Sequence, residues 1–344
     1  MAAMPDETND IGLERADYQG SPNTLCKGCG HNAIIGQIMS ACYELNLRPE
    51  EIVRYSGIGC SSKAPTYMLK RSFGFNGLHG RMPSLALGAM FADRTLTNIG
   101  MSGDGDTASI GIGQFKHICR RNPPMLYIVG NNGVYGLTKG QFSATTEAGV
   151  SFKRQGTSRY LPVDICMEAL ASNASFVARS FAGDPKQLRQ LIKAALRHQG
   201  ISVIDVISPC VSFYNFAKNL HSYEYAREHE IPLHELEFVP TDHQIMIKDF
   251  EAGTVRNVKL HDDSIIRLKK LDKEYDPTSR WQAFKVLEEA EEHHQLVTGL
   301  IYVDPDIPST FDRYDLVEEP LNRLGNGRLR PPRESIDQIN QMML

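Results

Sequence analysis

The residues whose spacing carries chemistry are Asp104 and Asn132. Asp104 lies in Gly103-Asp104-Gly105-Asp106, and Asn132 lies in Asn131-Asn132-Gly133, 28 residues further on. The patterns predict strands over Thr95 to Met101 and Met125 to Gly130, one before each motif, with a helix over Thr107 to Arg120 between them. One βαβ unit of this kind brings the two strand ends together. A carboxylate and an amide oxygen converging there suit Mg²⁺, which prefers hard oxygen ligands and keeps places for phosphate oxygens. Gly103 and Gly105 let the backbone approach a diphosphate closely. The helix expected to begin near Asp106 would offer free N–H groups to the anion. The plain alternative is an ordinary acidic turn followed by an Asn-Gly turn. A dinucleotide site is a further rival, because Gly28-Cys29-Gly30-His31-Asn32-Ala33 fits a loose G-x-G-x-x-A pattern. No strand precedes that run, however. Gly57-Ile58-Gly59 does follow a predicted strand, but Ser62 stands where close helix packing needs a glycine or alanine.

The chain has seven cysteines. Cys26 and Cys29 form a CxxC pair, while Cys60 and Cys210 stand alone in turns that end predicted strands. A zinc ribbon would want a second CxxC, and the sequence has none. A thioredoxin-like motif would follow a strand in a smaller fold. Four thiolates from separate turns suit a cubane cluster, which accepts widely spaced ligands. Cys42, Cys119 and Cys166 fall inside predicted helices and read as small buried core residues.

These turns need a scaffold. Apolar residues recur at helical spacing from Asn32 to Leu47, and Glu51 to Ser56 reads as a short strand. Pro83 to Ala92, Pro162 to Ala171 and Pro185 to His198 are expected to be helical, and Ile201 to Ile207 is a β-branched strand ended by Ser208-Pro209-Cys210. Alternating strands and helices imply an α/β fold with a doubly wound, mainly parallel sheet, whose ligands sit beyond the carboxyl ends of the strands. Residues 1 to 24 read as a flexible leader. Beyond 230 the character changes: Ile245 to Leu268 alternates like a hairpin, Thr278 to His294 is a charged helix, and the rest is rich in Pro, Asp and Arg. The expected organisation is a cofactor-binding domain over 1–230 and a C-terminal arm over 231–344, serving as a subunit interface.

Of the 344 residues, 41% are hydrophobic and 23% charged, as in a globular protein. The net charge of −4 argues against a general nucleic-acid binder. No apolar run reaches the roughly 20 residues that span a bilayer. The polar, acidic start lacks the order of a signal peptide. A cytoplasmic protein without membrane or nucleic-acid partners is expected, in which the cysteines do not form a disulfide framework.

Taken together, CKGCGH, GIGCSSK, HGRMPS, GDGD, NNGVYGLTKGQ and SPC occur in the order seen in β-subunits of 2-oxoacid:ferredoxin oxidoreductases. The chain resembles that family over roughly residues 20 to 230. The GDG…NN pair resembles the thiamine-diphosphate motif of the wider enzyme superfamily. The resemblance implies that Asp104, Asn132 and the carbonyl of Val134 ligate Mg²⁺. It also implies that Gly105 and Asp106 touch the diphosphate, and that Gly136 and Leu137 lie against the cofactor. Cys26, Cys29, Cys60 and Cys210 would hold a [4Fe-4S] cluster. The turn carrying Cys60 would also present Ile58, Gly59 and Ser61 to the thiamine diphosphate, tying the two redox partners together.

Three further residues carry expected roles. Lys63, otherwise a solvated lysine, would face the active site. His79, otherwise a core histidine, would bond cofactor or substrate. Lys139, seven residues after Asn132, could neutralise the distal carboxylate of 2-oxoglutarate. Pyruvate-preferring members need no such cation, so 2-oxoglutarate is the expected substrate, with pyruvate or broad 2-oxoacid use as the alternative. The implied reaction is oxidative decarboxylation, with electrons leaving singly through the cluster to ferredoxin and the acyl group passing to coenzyme A. The glutamate that activates the aminopyrimidine is expected on an α-subunit, in an (αβ)₂ heterotetramer. Competing readings are a cluster-free thiamine-dependent decarboxylase, a non-catalytic iron-sulfur subunit and a zinc-stabilised binding module.

Overall fold

The structure, a computed structural model, describes residues 8–241, 255–270, 275–320 and 323–343. The strands in chain order begin with β1 (Ile52–Ser56), β2 (Phe73–Asn76), β3 (Thr97–Gly103) and β4 (Met125–Asn131). Two short ribbons follow, β5 (Val134–Tyr135) with β6 (Gln141–Phe142) and β7 (Ser151–Phe152) with β8 (Gly156–Thr157). The remaining strands are β9 (Phe176–Phe181), β10 (Ile201–Ile207), β11 (Glu230–Pro232), β12 (His234–Val239), β13 (Val255–Lys259), β14 (Ile265–Lys270) and β15 (Leu296–Val303). Eight of them form one sheet in the order β11-β15-β9-β10-β4-β3-β1-β2. Strands β9, β10, β4, β3, β1 and β2 run parallel, and β15 joins antiparallel to β9. The mainly parallel α/β sheet expected from the alternation of elements is present.

Alternation along β4 shows why helices cover both faces. Leu126 and Ile128 enter one apolar cluster with Ile34 and Ile38 of α1 (Gly30–Glu44). Met125, Tyr127 and Val129 enter the other with Met82 and Met90 of α2 (Met82–Ala92) and Phe115 of α3 (Ile112–Arg121). Ile165 of α4 (Ile165–Ala171) also packs in the second cluster, and Leu188 and Leu191 of α5 (Pro185–Arg197) pack in the first. Burying each such side chain contributes about 1.5–3 kcal/mol. The helix starts are chemically marked. Asp164 accepts the Met167 N–H, and Asp184 accepts the Lys186 and Gln187 N–H groups with Pro185 at the first helical position.

Several elements differ from the sequence expectation. The leader is not free from residue 8 onward: Tyr18 is fully buried, its hydroxyl donating to the Leu47 carbonyl (2.9 Å) and accepting from Asn9 (2.9 Å). A single tyrosine over the α1 core anchors a stretch too polar to read as structured, and residues 1–7 lie outside the described region. Before α3 the chain makes one wide π-helical segment, Gly105–Ile110. Such widening is common at functional sites. Here it lets Gly111 press on Gly80, which holds φ +71°.

The segment read as an arm also contributes to the main sheet. Its β15 is an interior strand, buried along its whole length, and α7 (Arg280–Glu292) packs Leu287 into the second cluster. The hairpin read over Ile245 to Leu268 is described only from residue 255, as β13 and β14, with 245–254 outside the described residues. In this small sheet β14 pairs with both β12 and β13, and the three cover the first cluster through Phe238, Val258 and Ile266. Beyond α6 (Tyr223–His229), three further helices complete the described chain: α8 (Thr310–Arg313), α9 (Asn326–Leu329) and α10 (Arg333–Met342).

Candidate functional site

Parallel strands β1, β3 and β4 end side by side, so the turns that follow them open onto one cleft. It is lined by Ile58–Ser61 after β1, Gly103–Asp106 after β3 and Asn132 with Val134–Thr138 after β4, and His79 closes one side. The cavity measures about 100 Å³. This is the carboxyl-end crevice in which open α/β sheets bind their ligands.

Asp104 is only 1% exposed. Its Oδ1 accepts the Asn132 N–H (3.2 Å), and its Oδ2 accepts the Thr145 hydroxyl (2.8 Å) and that of Ser143. Among the described residues, no lysine, arginine or histidine pairs with it. A buried carboxylate is costly unless a cation or metal compensates it. Asn132 lies beside it, with Oδ1 accepting the Val134 N–H at 3.2 Å. A carboxylate, an amide oxygen and an adjacent backbone carbonyl form an all-oxygen donor set that fits Mg²⁺.

Asp106 is engaged differently. Its Oδ1 accepts the Gly80 N–H (2.7 Å) and meets the His79 Nδ1, while Oδ2 accepts the Ser102 hydroxyl (2.5 Å). A Cβ on Gly57 would stand 2.0 Å from that same Oδ2, so the β1 turn can pass only as glycine. Tyr135 donates its hydroxyl to the Gly105 carbonyl at 2.8 Å.

A second layer behind the cleft escaped the sequence reading. Thr145 bridges Asp104 and the Asn131 Oδ1 (2.9 Å), which His221 Nε2 also reaches at 3.0 Å. The Asn131 amide donates to Asp205 (3.0 Å), and Arg179 ties Asp205 (3.0 Å) to Asp164 (2.6 Å). The run Ser143-Ala144-Thr145-Thr146, hydroxyl-rich and just past the Asn-Asn motif, was the available signal.

The four turn cysteines gather beyond the cleft wall. Cys60 and Cys210 place their sulfurs 3.7 and 3.5 Å from where a Cβ on Gly136 would stand. Cys29 immediately precedes α1 as its N-cap, and its N–H donates to the Cys26 carbonyl at 3.1 Å. Burial pushes the Cys29 thiol up to about 11, with Cys210, Cys60 and Cys26 adding to the effect. Burial also raises Cys60, helped by Cys210 and opposed by the Lys63 ammonium. The four thiols therefore share one neighbourhood, and all are free. Among the described residues no three His, Cys, Asp or Glu side chains stand close enough to hold a single metal ion. A four-iron cube asks for wider spacing, because each sulfur binds a different iron. Cys42, Cys119 and Cys166 are fully buried core residues.

Of the remaining expected residues, Ile58, Gly59, Ser61, Gly136 and Leu137 line the cleft. Ser61 also bonds His31, whose Nε2 is 2.9 Å away, and burial holds that imidazole below its usual range. Lys63 is half-buried near Cys60. Lys139 is exposed at the end of the tight Gly136–Lys139 turn, at φ +74° and outside the lining.

Residues 57–206 match the family described as thiamine pyrophosphate enzyme, C-terminal TPP binding domain. Over 207 residues the chain is 41% identical to a 2-oxoacid:ferredoxin oxidoreductase subunit beta of Saccharolobus solfataricus, covering 59% of this chain and 66% of that one. It is 38% identical to the 2-oxoglutarate synthase subunit KorB of Methanocaldococcus jannaschii over 56% of this chain and 71% of that one. It is 39% identical to the 2-oxoglutarate oxidoreductase subunit KorB of Mycobacterium tuberculosis, of which the match spans 50%. A solved structure, 2-oxoglutarate:ferredoxin oxidoreductase from Magnetococcus marinus with 2-oxoglutarate, coenzyme A and succinyl-CoA bound, superposes with a TM-score of 0.74 at 26% identity, covering 95% of this chain and 96% of that chain. A TPP-binding domain built on this sheet, and relatives more than a third identical over the matched stretch, agree on one assignment: the chain belongs to the 2-oxoacid:ferredoxin oxidoreductase β-subunit family.

Proposed function

We propose that the chain, together with an α-subunit, carries out coenzyme A-dependent oxidative decarboxylation of a 2-oxoacid, with 2-oxoglutarate preferred. The products are succinyl-CoA and CO2, and two electrons pass singly to ferredoxin. The reading is carried by one observation: the Ile58–Ser61 turn lines the cleft containing Asp104 and Asn132, while its Cys60 sulfur and that of Cys210 both lie against Gly136. In this reading Asp104, Asn132 and the Val134 carbonyl hold Mg²⁺ against a diphosphate, and Gly105 and Asp106 approach the phosphates. Cys26, Cys29, Cys60 and Cys210 hold a [4Fe-4S] cluster. When bound, thiamine diphosphate supplies the electron sink that decarboxylation of a 2-oxoacid requires.

The chain's own groups do the positioning. His79, bonded to Asp106, orients that carboxylate at the mouth of the cleft. Lys63 adds positive charge beside Cys60, favouring thiolate. Lys139, exposed beyond Leu137 and Thr138, offers a cation to a distal carboxylate. Relatives named for 2-oxoglutarate support that preference. Among the described residues no helix is long and apolar enough to cross a membrane. A cytoplasmic (αβ)₂ assembly is part of the proposal.

Anaerobically purified protein should contain iron, acid-labile sulfide and thiamine together. Co-expressed with its partner subunit, it should reduce viologen with coenzyme A and 2-oxoglutarate faster than with pyruvate. Thiamine without sulfide, sulfide without thiamine, or zinc in place of iron would each reject the reading.

A further inference from the structure

At the opposite end of the sheet, near the amino ends of β4 and β9, lies a cavity of about 740 Å³, several times the volume of the cleft described above. Its walls come from the end of α3, the start of α7 and the segment after β15. Four arginines face it: Arg120, Arg121, Arg280 and Arg313. Among the described residues none of them forms an ion pair with a carboxylate. Arg280 instead donates to the Asn173 side chain and, at 3.4 Å, to the Tyr302 hydroxyl, and Arg313 donates to the Pro308 carbonyl at 3.2 Å. Two carboxylates, Asp304 and Asp306, share the cavity with them. Asp304 accepts the Tyr302 hydroxyl (3.3 Å) and the Asp306 N–H (3.1 Å).

The cavity is held in shape by buried bonds. Asn122 caps α3 in the left-handed region (φ +59°), and its side chain donates to the Ile307 and Pro308 carbonyls at 3.4 and 3.3 Å. Its Oδ1 accepts the Ile201 N–H (2.9 Å) and the Ser175 hydroxyl (2.6 Å). The Thr310 N–H donates to the Asn122 carbonyl at 3.1 Å. The two arginine-bearing walls are therefore pinned to one another.

Four like charges around one cavity repel each other. Service to helix ends accounts for Arg120 and Arg121, in the last turn of α3, where a cation is favourable. It does not account for Arg280, the first residue of α7, where a cation is unfavourable. Guanidinium forks match phosphate oxygens bidentately. A carboxylate accepts ribose hydroxyls, as it does in nucleotide-binding folds. Tyr314 presents a 63% exposed ring beside Ile307 and Pro308, a surface fit for a base. The volume lies within the usual range for small-molecule sites, about 300–1,000 Å³.

We infer that this arginine-lined cavity at the amino ends of the strands binds a nucleoside diphosphate or triphosphate, with the phosphates on the arginines and the ribose on Asp304 or Asp306. The site is separate from the cleft between β1, β3 and β4.

The test is titration calorimetry of the full chain with ADP, with thiamine diphosphate and Mg²⁺ at saturation so that the other cleft is filled. Inorganic pyrophosphate and adenosine serve as separate arms. ADP should bind saturably, pyrophosphate more weakly and adenosine not detectably. Arg121→Gln and Arg280→Gln should each weaken ADP at least about tenfold. Asp104→Asn, in the other cleft, should leave ADP affinity unchanged. No saturable ADP binding would overturn the inference. So would variants that lower Tm but keep full ADP affinity, since the arginines would then serve only the helix ends. Pyrophosphate binding as tightly as ADP would replace it with a plain anion site. Loss of ADP binding in Asp104→Asn alone would assign the nucleotide to the wrong cleft.

Discussion

At the carboxyl ends of β1, β3 and β4, the buried polar groups are the carboxylates of Asp104 and Asp106, served by hydroxyls, N–H groups and one imidazole. At the amino ends of β4, β9 and β10 they are the neutral side chains Asn122, Ser175 and His198, closed on each other at 2.6 Å. The neutral set carries no charge to cancel, so its burial needs no ion, although the His198 Nδ1 finds no partner among the described residues. The Asp104 carboxylate does carry one, and hydroxyls solvate a charge without cancelling it. The buried groups at the amino ends thus need no outside charge, whereas the Asp104 carboxylate would be compensated by the Mg²⁺ proposed above.

The comparison breaks most severely at Asp104. Asp104→Asn should lower affinity for Mg²⁺ and thiamine diphosphate by more than about a hundredfold, beyond the range for outer-shell changes. It should leave Tm near or above the wild-type value in the absence of cofactor, because an uncompensated buried charge has been removed. A variant that binds the cofactor normally would end the carboxylate's assigned role.

At the opposite end, burial holds His198 down to about 3, with His261 adding to the effect, against 6.5 for the free group. Above pH 6.5 both states are neutral there and the residue is silent. As pH falls below 6.5 only the unfolded chain takes the proton, so stability drops, by about 2 kcal/mol at pH 5. His198→Gln, which can still bond Ser175, should flatten this limb of the denaturation curve relative to wild type. Identical pH profiles would show that the histidine does not titrate as its burial demands.

Two substitutions sharpen the functional end. Cys60→Ser should abolish acid-labile sulfide while keeping most thiamine binding, separating the thiol cluster from the carboxylate cleft. Simultaneous loss of both would mean that the turn, rather than the sulfur, is what matters. Thr145→Val removes the hydroxyl bridge between Asp104 and Asn131 without changing shape, and should weaken Mg²⁺ about tenfold. The smallest effect is expected at Lys139. Lys139→Ala should raise the KM for 2-oxoglutarate several-fold more than that for pyruvate, whereas equal changes would remove its role in choosing the substrate.

The sequence alone determined the parallel sheet, the turns ending β1, β3, β4 and β10, and the pairing of Asp104 with Asn132. Those features rest on short-range chemistry: strand-helix alternation, glycines where backbones must pass closely, and motif residues at strand ends. Tertiary structure alone decided the rest. Ser143 and Thr145 reach Asp104 from 39 and 41 residues away, and nothing local marks them as its partners. Strand β9 was hidden by Arg179, an arginine in a buried strand that only Asp205 and Asp164 make tolerable. Strand β15 went unread because a short apolar run does not reveal whether it is helix or strand. Its place against β9, more than a hundred residues earlier in the chain, follows from which sheet edge remained uncovered. Periodicity reports which face a residue turns inward. Which distant side chain meets it there depends on how the crossovers fold back, and that is a property of the packed sheet.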